Sequence, residues 1–560
     1  MSTRRRKTFA RPAPAWYRAT VATDEVKPAS REETLPIATG ALLLALVALF
    51  VSVAHGYLLL YGDAVAHLGI ARRIVDSRNP GLAQLGGVWL PLPHLLMLPF
   101  IHKMEWWQNG LAGAWPSLIS YILGVIGFYR LTRRVLAPRW SFAATAFYAL
   151  NPNLLYLSTT AMTEPLFLAI LIWGTLVTME CVAAVREDKA ELVARRLIVL
   201  ALLIVAAVYT RYDGWVFGAA VWAVITSQII AHREQQPELW KKVAPYYVAF
   251  TVLAAAAPLG WLAYNQHFFH DPLDFMRGPY SATAIDRKTS PQGSQHYPGW
   301  HNPLWALVLY TRTAQLNAAA WETGFVVMAA AIAGLVILLR RKRERAALLL
   351  WIPLPFYVYS IAFGSIPIFI QPLWPHSYYN SRYGLEMLPA LAVSAFLALE
   401  WLARKLTRSQ PLVANLLYPV TLSLVALNSV AMMYKGPVVL REAITNSTTR
   451  VAFETAFAHN LRTFPPGVPI LMYSSDHIGA IQQAGLELRQ FLNEYDRDSW
   501  KAALAAPADH AAFVVAIEGD PVSKAVKEHP EGLTELTVLC TTGQPCARIY
   551  QSDRFATLTH

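Results

Sequence analysis

The stretch GALLLALVALFVSVAHGYLLLYGDAVAHLGIARRIVDS, residues 40–77, begins as an almost unbroken apolar run and ends in charged residues. The apolar part is long enough to cross a bilayer as a helix, which takes about 20 residues. Asp63, His67 and Arg72 follow it directly. The stretch therefore predicts a membrane span that opens into a polar segment at the membrane surface.

The whole chain has the composition of a multi-pass membrane protein. Of its 560 residues, 55% are hydrophobic and 15% are charged, and the mean hydropathy is +0.33. A soluble domain carries about 25% charged residues, so water is not expected to surround this chain. The net charge of +12 does not indicate nucleic acid as a partner, because the basic residues fall mainly in short segments beside apolar runs, as positive-inside topology requires.

Eleven spans are predicted from apolar runs of roughly membrane-crossing length. Their approximate ranges are 36–60, 112–135, 140–157, 162–184, 195–210, 213–231, 244–266, 319–340, 346–363, 384–402 and 412–433. With the N-terminus inside, the connections rich in Lys and Arg all face the cytoplasm, namely 133–140, 186–196, 232–242, 340–345 and 403–408. The charge rule thus predicts that the N-terminus lies in the cytoplasm. The protein itself is expected in the inner or plasma membrane.

Three parts of the chain differ in composition. Residues 1–35 form a basic tail, which predicts a cytoplasmic segment before a retained first span, and residues 36–434 hold the spans. Residues 435–560 alternate short β-type runs with helical stretches, which predicts a small extracytoplasmic α/β domain. In that domain, Cys540 and Cys546 can form a local disulfide if it lies outside. The predicted fold class is an all-α polytopic membrane protein with a small C-terminal α/β domain.

The first outer loop, residues 61–111, predicts two helices that lie in the outer membrane interface. Residues 64–79 have an amphipathic pattern, with Asp63 as a candidate N-cap. Residues 89–107 are apolar but are interrupted by three prolines. On the first helix Arg72 and Asp76 are four residues apart, which predicts a solvated ion pair.

Polar residues gather at the outer ends of the predicted spans. Ionisable groups near a membrane are costly unless they are solvated or paired, so such clusters mark candidate sites. The candidates are Asp63, His67, Glu164, Arg211, Asp213, His270, Asp271, Tyr379 and Arg382.

Structural roles are an alternative for several of these candidates. Asp63 could cap a helix, Glu164 stands at a helix start, and Arg211 could pair locally with Asp213. The histidines could be ordinary interface or loop residues. Arg382 has no acidic neighbour in sequence nearer than residue 386, and its planar donors suit phosphate recognition.

The order of several motifs resembles the GT-C glycosyltransferase superfamily, whose polytopic members take sugars from polyprenyl-phosphate carriers. The motifs are the acid after the first span, WLPLPHLL (89–96), AWPSLISYILGVIGFYRLTRRVL (114–136), MTEPLF (162–167) and RYDGW (211–215). They are similar to the bacterial branch that groups protein O-mannosyltransferases, the lipid A aminoarabinose transferase and the RgtA/B/C/D-like transferases. The resemblance covers about residues 36–400.

This resemblance implies roles for the candidates. Asp63 would be the base that activates an acceptor hydroxyl, which attacks the anomeric carbon with inversion. Arg382 and Arg211 would stabilise the departing polyprenyl phosphate. Glu164 would hold sugar or acceptor hydroxyls. From their position at the outer ends of the spans, the further candidates for sugar or acceptor binding are His67, Asp213, His270, Asp271 and Tyr379. The implied partners are a polyprenyl-phosphate sugar donor, a glycan, lipid or protein acceptor, and membrane lipids.

Two departures from the family pattern bear on metal use. Asp63 is followed by Ala64, where many relatives have a second acid, and Val88-Trp89-Leu90 stands where the aminoarabinose branch has a Glu-Lys pair. No obligatory metal or cofactor is therefore expected.

Two other classes of function remain open. The chain could be a transporter or flippase for a lipid-linked glycan, or a non-catalytic GT-C-like subunit that binds glycan. Ionisable residues concentrated at outer ends rather than at mid-span favour the enzyme over the transporter.

Overall fold

The computed structural model describes residues 26–290, 293 and 295–558. Most of the basic tail, residues 1–25, lies outside the described residues. The helices up to residue 269 are α1 (Arg31–Ala54), α2 (Gly62–Asp76), α3 (Leu92–Ile101), α4 (Met104–Asn109), α5 (Leu111–Thr132), α6 (Pro138–Ala149), α7 (Pro152–Leu157), α8 (Glu164–Arg186), α9 (Ala190–Val208), α10 (Asp213–His232) and α11 (Pro237–Phe269). They are followed by α12 (Asp274–Arg277), α13 (Ala282–Thr289), α14 (Pro303–Ala318), α15 (Thr323–Arg340), α16 (Pro353–Phe363), α17 (Leu388–Ser409), α18 (Pro411–Lys435) and α19 (Val438–Leu461).

Nine segments of the described chain are long and apolar enough to cross a membrane, which confirms a multi-pass membrane protein but corrects the expected number of eleven. The predicted span 140–157 is divided between α6 and α7. Pro152 has no N–H and disfavours helical backbone at Asn151, whose side chain instead caps α7 by accepting from the amides of Asn153 and Leu154. The predicted span 195–210 falls in α9, whose first two turns carry three charged residues.

The spans differ in how much protein surrounds them. In α8 and in the segment Ser381–Thr407, 83% of the most apolar stretch is buried within the protein, whereas the figure is 17% in α1 and α11. Helices that remain apolar on their exposed faces are stable only against lipid. Consequently α8 and α17 form the centre of the bundle, and α1 and α11 form its periphery.

The first outer loop forms helices close to the predicted positions, but the first of them packs against other parts of the chain than expected. Helix α2 is buried along most of its length, because it packs on α3 and α5 on one side and on the C-terminal domain on the other. Its apolar side therefore packs on protein rather than on lipid, and its position in the membrane interface stays a prediction. Arg72 and Asp76 do form an ion pair, at 2.8 Å, but both side chains are only 8% exposed, so the pair is not solvated.

One helix missing from the sequence prediction supports the centre of the bundle. Helix α14 lies where the outer loop 267–318 was expected, and it packs against a 3₁₀ turn at Ser381–Met387. Gly384 permits this approach, since a Cβ there would lie 2.6 Å from the carbonyl carbon of Thr313. Asn317 donates from its side chain to the carbonyl of Ser381 at 2.8 Å. The turn that carries Arg382 is thus fixed on α14.

The C-terminal domain contains a mixed five-stranded sheet in the order β2-β1-β3-β5-β4. The strands are β1 (Ile470–Met472), β2 (Phe491–Leu492), β3 (Phe513–Ile517), β4 (Leu533–Leu539) and β5 (Ala547–Ser552), and the helices are α20 (Ile478–Ala484), α21 (Asp498–Ala505), α22 (Pro507–His510) and α23 (Pro521–Glu528). β1 pairs in parallel with β2 and β3, and β5 runs antiparallel to β3 and β4. This confirms the small α/β domain, in which Cys540 and Cys546 form a disulfide.

Candidate functional site

Two arginines and five carboxylates form one network at the end of the bundle that carries α2 and the C-terminal domain. The members are Asp63, Glu164, Arg211, Asp213, Arg382, Glu386 and Glu442. They come from α2, α8, the start of α10, the 3₁₀ turn before α17, and α19. The network therefore joins the membrane helices to the segment that leads into the C-terminal domain.

Arg382 contacts three carboxylates. Its Nη2 donates to Oδ2 of Asp63 at 2.5 Å, and its Nε donates to Oε1 of Glu164 at 3.1 Å. Its Nη1 lies 3.5 Å from Oε1 of Glu442. Arg382 has no acidic neighbour in sequence before Glu386, and its three carboxylate partners come from distant parts of the chain.

Arg211 occupies the second half of the network. Its Nη1 lies 3.2 Å from Oε1 of Glu164, so that one carboxylate oxygen bridges both guanidinium groups. Its Nη2 lies 3.1 Å from Oε1 of Glu386 and also donates to Tyr357 at 2.6 Å. Its Nε lies 3.4 Å from Asp213. The local pair with Asp213 is thus present, but it is one contact among several.

In a buried network of this kind, each charged group is stabilised by the opposite charges around it. Burying a charge is costly unless it is paired and hydrogen-bonded. Glu164 and Glu386 are both fully buried, and each has one carboxylate oxygen, Oε2, without a hydrogen-bond donor in the described part of the chain. Both Oε2 atoms are enclosed by protein, so they are buried acceptors without a partner rather than atoms open to the solvent.

Asp63 differs from the other acids in its exposure. Its side chain is 42% exposed, whereas the side chains of Glu164, Asp213, Glu386 and Glu442 are at most 2% exposed. It does not cap α2, which begins after Tyr61 without a side-chain cap. Asp63 is therefore the carboxylate at which the network meets the solvent.

His67 lies one turn after Asp63 and is hydrogen-bonded to a second histidine rather than to the ion network. Its Nδ1 is 2.8 Å from Nε2 of His94, and its ring packs on Trp89. Burial, together with the charges of Arg382 and Arg211, lowers the pKa of His67 to about 3. Burial also lowers the pKa of His94 well below its ordinary value. The pair is neutral and supports α2 against α3.

The remaining candidates lie outside the network. Tyr379 is close enough for the charges of Asp63 and Arg382 to act on its phenol, and burial raises the pKa of that phenol. His270 follows α11 with a left-handed backbone, and Asp271 accepts from the amide of Leu273. The described residues show no contact between these two loop residues and the network, so their role in substrate binding stays a prediction.

The sequence does not single out two members of the network, Glu386 and Glu442, or two tyrosines that contact it. Glu442 and Glu386 are carboxylates buried inside helical segments, and Tyr357 and Tyr383 flank the two guanidinium groups. An acid in an otherwise apolar span was a usable signal for Glu386. Among the described residues, no group of three or more His, Cys, Asp or Glu is placed to hold a metal ion; the expectation that no metal is required remains a prediction.

No protein-family model matches the chain, and no curated protein is significantly similar to it in sequence. Among solved structures, ArnT from Cupriavidus metallidurans bound to undecaprenyl phosphate superposes with a TM-score of 0.55 at 15% identity, covering 93% of this chain and 98% of that one. The apo state of the same ArnT gives a TM-score of 0.52 at 14% identity, covering 91% and 98%. An oligosaccharyltransferase from Archaeoglobus fulgidus gives 0.41 at 11% identity, covering 91% and 73%. The chain therefore shares the fold of ArnT, as the resemblance in its sequence predicts.

Proposed function

We propose that this chain is a membrane glycosyltransferase that moves a sugar from a polyprenyl-phosphate donor to an acceptor hydroxyl, with Asp63 as the base. The position of Asp63 is the observation that carries the proposal. On an ArnT-like fold, it is the exposed carboxylate of an otherwise buried ion network. A carboxylate in that place is positioned to take a proton from an acceptor hydroxyl. The charge distribution among the spans favours the extracytoplasmic side for this reaction.

The reaction balances without a second acid. The acceptor oxygen bonds to the anomeric carbon on the face opposite the phosphate, and Asp63 receives the acceptor proton. The bond between the anomeric carbon and the phosphate oxygen breaks, and its electron pair leaves with the phosphate. The sugar is transferred with inversion, and the leaving group needs charge stabilisation rather than protonation.

Arg382 is the first candidate for that stabilisation. Its Nη2 is bound to Asp63, so a donor phosphate would reach this guanidinium nitrogen by displacing the carboxylate. The exchange would free the Asp63 carboxylate oxygen from Arg382 and leave it open to the acceptor hydroxyl when the donor arrives.

Arg211 and the buried acids support this exchange. Arg211 is tied to three carboxylates, and its contact with the donor phosphate stays a prediction. Glu164 positions both arginines through its Oε1, and its contact with a sugar or acceptor hydroxyl stays a prediction. Asp213 positions Arg211 through its contact with Nε.

The test compares wild type with the Asp63→Asn variant. The control is Glu105→Gln, which changes an exposed acid of the same loop. Each full-length protein is reconstituted in liposomes with a panel of radiolabelled polyprenyl-phosphate sugars and host membrane extract as acceptor. General-base catalysis is worth about 10²–10⁴-fold, so Asp63→Asn should lose that much transfer while Glu105→Gln keeps it.

Three outcomes would contradict the proposal. Asp63→Asn could transfer sugar at the wild-type rate, which excludes the mechanism. Wild type could move a lipid-linked glycan across the bilayer without transferring sugar, which favours the transporter. Wild type could bind the donor but leave it unchanged, which favours a non-catalytic subunit.

A further inference from the structure

A cavity of about 450 Å³ lies at the end of the bundle opposite the ion network. It is bounded by the C-terminal end of α8, the last part of α10 and the turn that precedes α16. Glu164 and Arg186 stand at the two ends of α8, about 33 Å apart at 1.5 Å per residue. This distance matches the hydrocarbon thickness of about 30 Å, so the cavity lies at the second membrane surface.

The cavity combines cations with an apolar wall. The cations are Arg186, Lys342, Arg343 and Arg345. The apolar wall consists of Val182, Val224, Ala346, Leu348, Leu349 and Ile352. Across the described residues, no Asp or Glu lines the cavity, and no carboxylate lies within ion-pair distance of any of the four cations. Glu187, just outside the cavity, is near enough for the charge of Arg343 to act on it.

Two of the cations are held in place by neutral groups. Arg186 donates through Nη2 to the carbonyl of Lys342 at 3.2 Å and to the side chain of Gln228 at 3.4 Å. Arg345 donates through Nε to the carbonyl of Leu339 at 2.9 Å. These contacts orient the guanidinium groups without neutralising them, so their charge is available to an anion.

We propose that this cavity binds the phosphate headgroup of an anionic membrane lipid. The guanidinium and ammonium groups would hold the phosphate, and the apolar wall would cover the first part of an acyl chain. Positive-inside topology alone accounts for cations at this surface, but it requires neither a cavity between helices nor an apolar lining. The proposal is independent of the glycosyltransferase activity.

The test measures lipid binding to the purified full-length protein by native mass spectrometry. The probes are dioleoyl phosphatidylglycerol, dioleoyl phosphatidylcholine with the same chains, and undecaprenyl phosphate. We expect one saturable phosphatidylglycerol molecule with at least a tenfold preference over phosphatidylcholine. Each cation near a membrane surface contributes about fivefold to such binding, so the double variant Arg186→Gln/Lys342→Gln should bind phosphatidylglycerol about 25-fold more weakly.

The matched control is Arg195→Gln/Arg233→Gln, which removes two exposed cations from the same end of the bundle without touching the cavity. Equal losses in both double variants would overturn the proposal in favour of a diffuse surface charge, and so would binding without preference for phosphatidylglycerol. Displacement of phosphatidylglycerol by undecaprenyl phosphate would support the phosphate site and identify the carrier lipid as its source. Failure of displacement would assign the site to the glycerophospholipid.

Discussion

Replacing Glu442 by alanine tests whether α19 holds the ion network in place. The Glu442 carboxylate accepts from the amide of Asn380 at 2.9 Å, from the amide of Ser381 at 2.7 Å and from the Ser381 hydroxyl. The residue is 1% exposed, so no water would replace it at once. Two buried N–H groups would lose their acceptor, at about 1–3 kcal/mol each, and Arg382 would lose one of its carboxylates. Breaking a buried ion pair costs about 3–5 kcal/mol, and we expect a loss of stability of that size.

The rate of irreversible unfolding in detergent at one fixed temperature measures this loss. At about 1.4 kcal/mol per tenfold, a loss of about 3 kcal/mol raises the unfolding rate more than a hundredfold, provided that the contacts are absent from the transition state for unfolding. The fraction of protein that still elutes as a folded species is followed over time. Glu442→Gln keeps the shape and one acceptor oxygen, so its rate should lie between those of wild type and Glu442→Ala.

The control for this series is Glu487→Ala, which removes a glutamate whose side chain is 43% exposed and pairs with Arg489. Exposed ion pairs contribute about 0–1 kcal/mol, so this variant should unfold at nearly the wild-type rate. If Glu442→Ala unfolds no faster than Glu487→Ala, α19 does not hold the network and the structural reasoning fails.

Three further predictions concern other parts of the chain. Gly384→Ala forces a Cβ against the carbonyl carbon of Thr313, and overpacking of about 1–3 kcal/mol should speed unfolding in the same assay. Burial raises the pKa of Asp520 to about 6, so the folded state keeps a proton there that the unfolded chain releases near pH 4. Helix α23 should therefore lose stability as pH rises from about 4 to 6. Hydrogen exchange measures this loss, and the Asp520→Asn variant should not show the pH dependence. Cys540 and Cys546 should be blocked to alkylation in protein isolated without reductant, and free thiols at both positions would contradict an extracytoplasmic domain.

The membrane bundle and five of the seven members of the ion network could be predicted, because the sequence signals for them are local. A run of apolar residues identifies a span by itself, and charged residues at the ends of spans stand out against it. Asp63, Glu164, Arg211, Asp213 and Arg382 were all chosen on that basis, and the structure brings these five into one network.

The missed features depend on contacts between distant segments. Glu442 lies 60 residues after Arg382, in a part of the chain that composition assigns to another domain. The apolar face of α2 predicts burial, but periodicity does not distinguish burial against lipid from burial against protein. Helix α14 was expected as a loop because it is short and its segment follows a polar, proline-containing stretch.

The burial of α2 gives the C-terminal domain a physical connection to Asp63. The domain holds the far end of this helix, where the amide of Leu488 donates to Asp76 and the guanidinium of Arg73 lies 3.5 Å from the centre of the Tyr495 ring. In the middle of α2, Gly69 permits the close approach of Ile478, since a Cβ there would lie 2.8 Å from the Ile478 side chain. Because Asp63 is in the first turn of the same rigid helix, its distance to Arg382 depends on how the domain is seated. The domain is therefore part of the framework that sets the geometry of the candidate base.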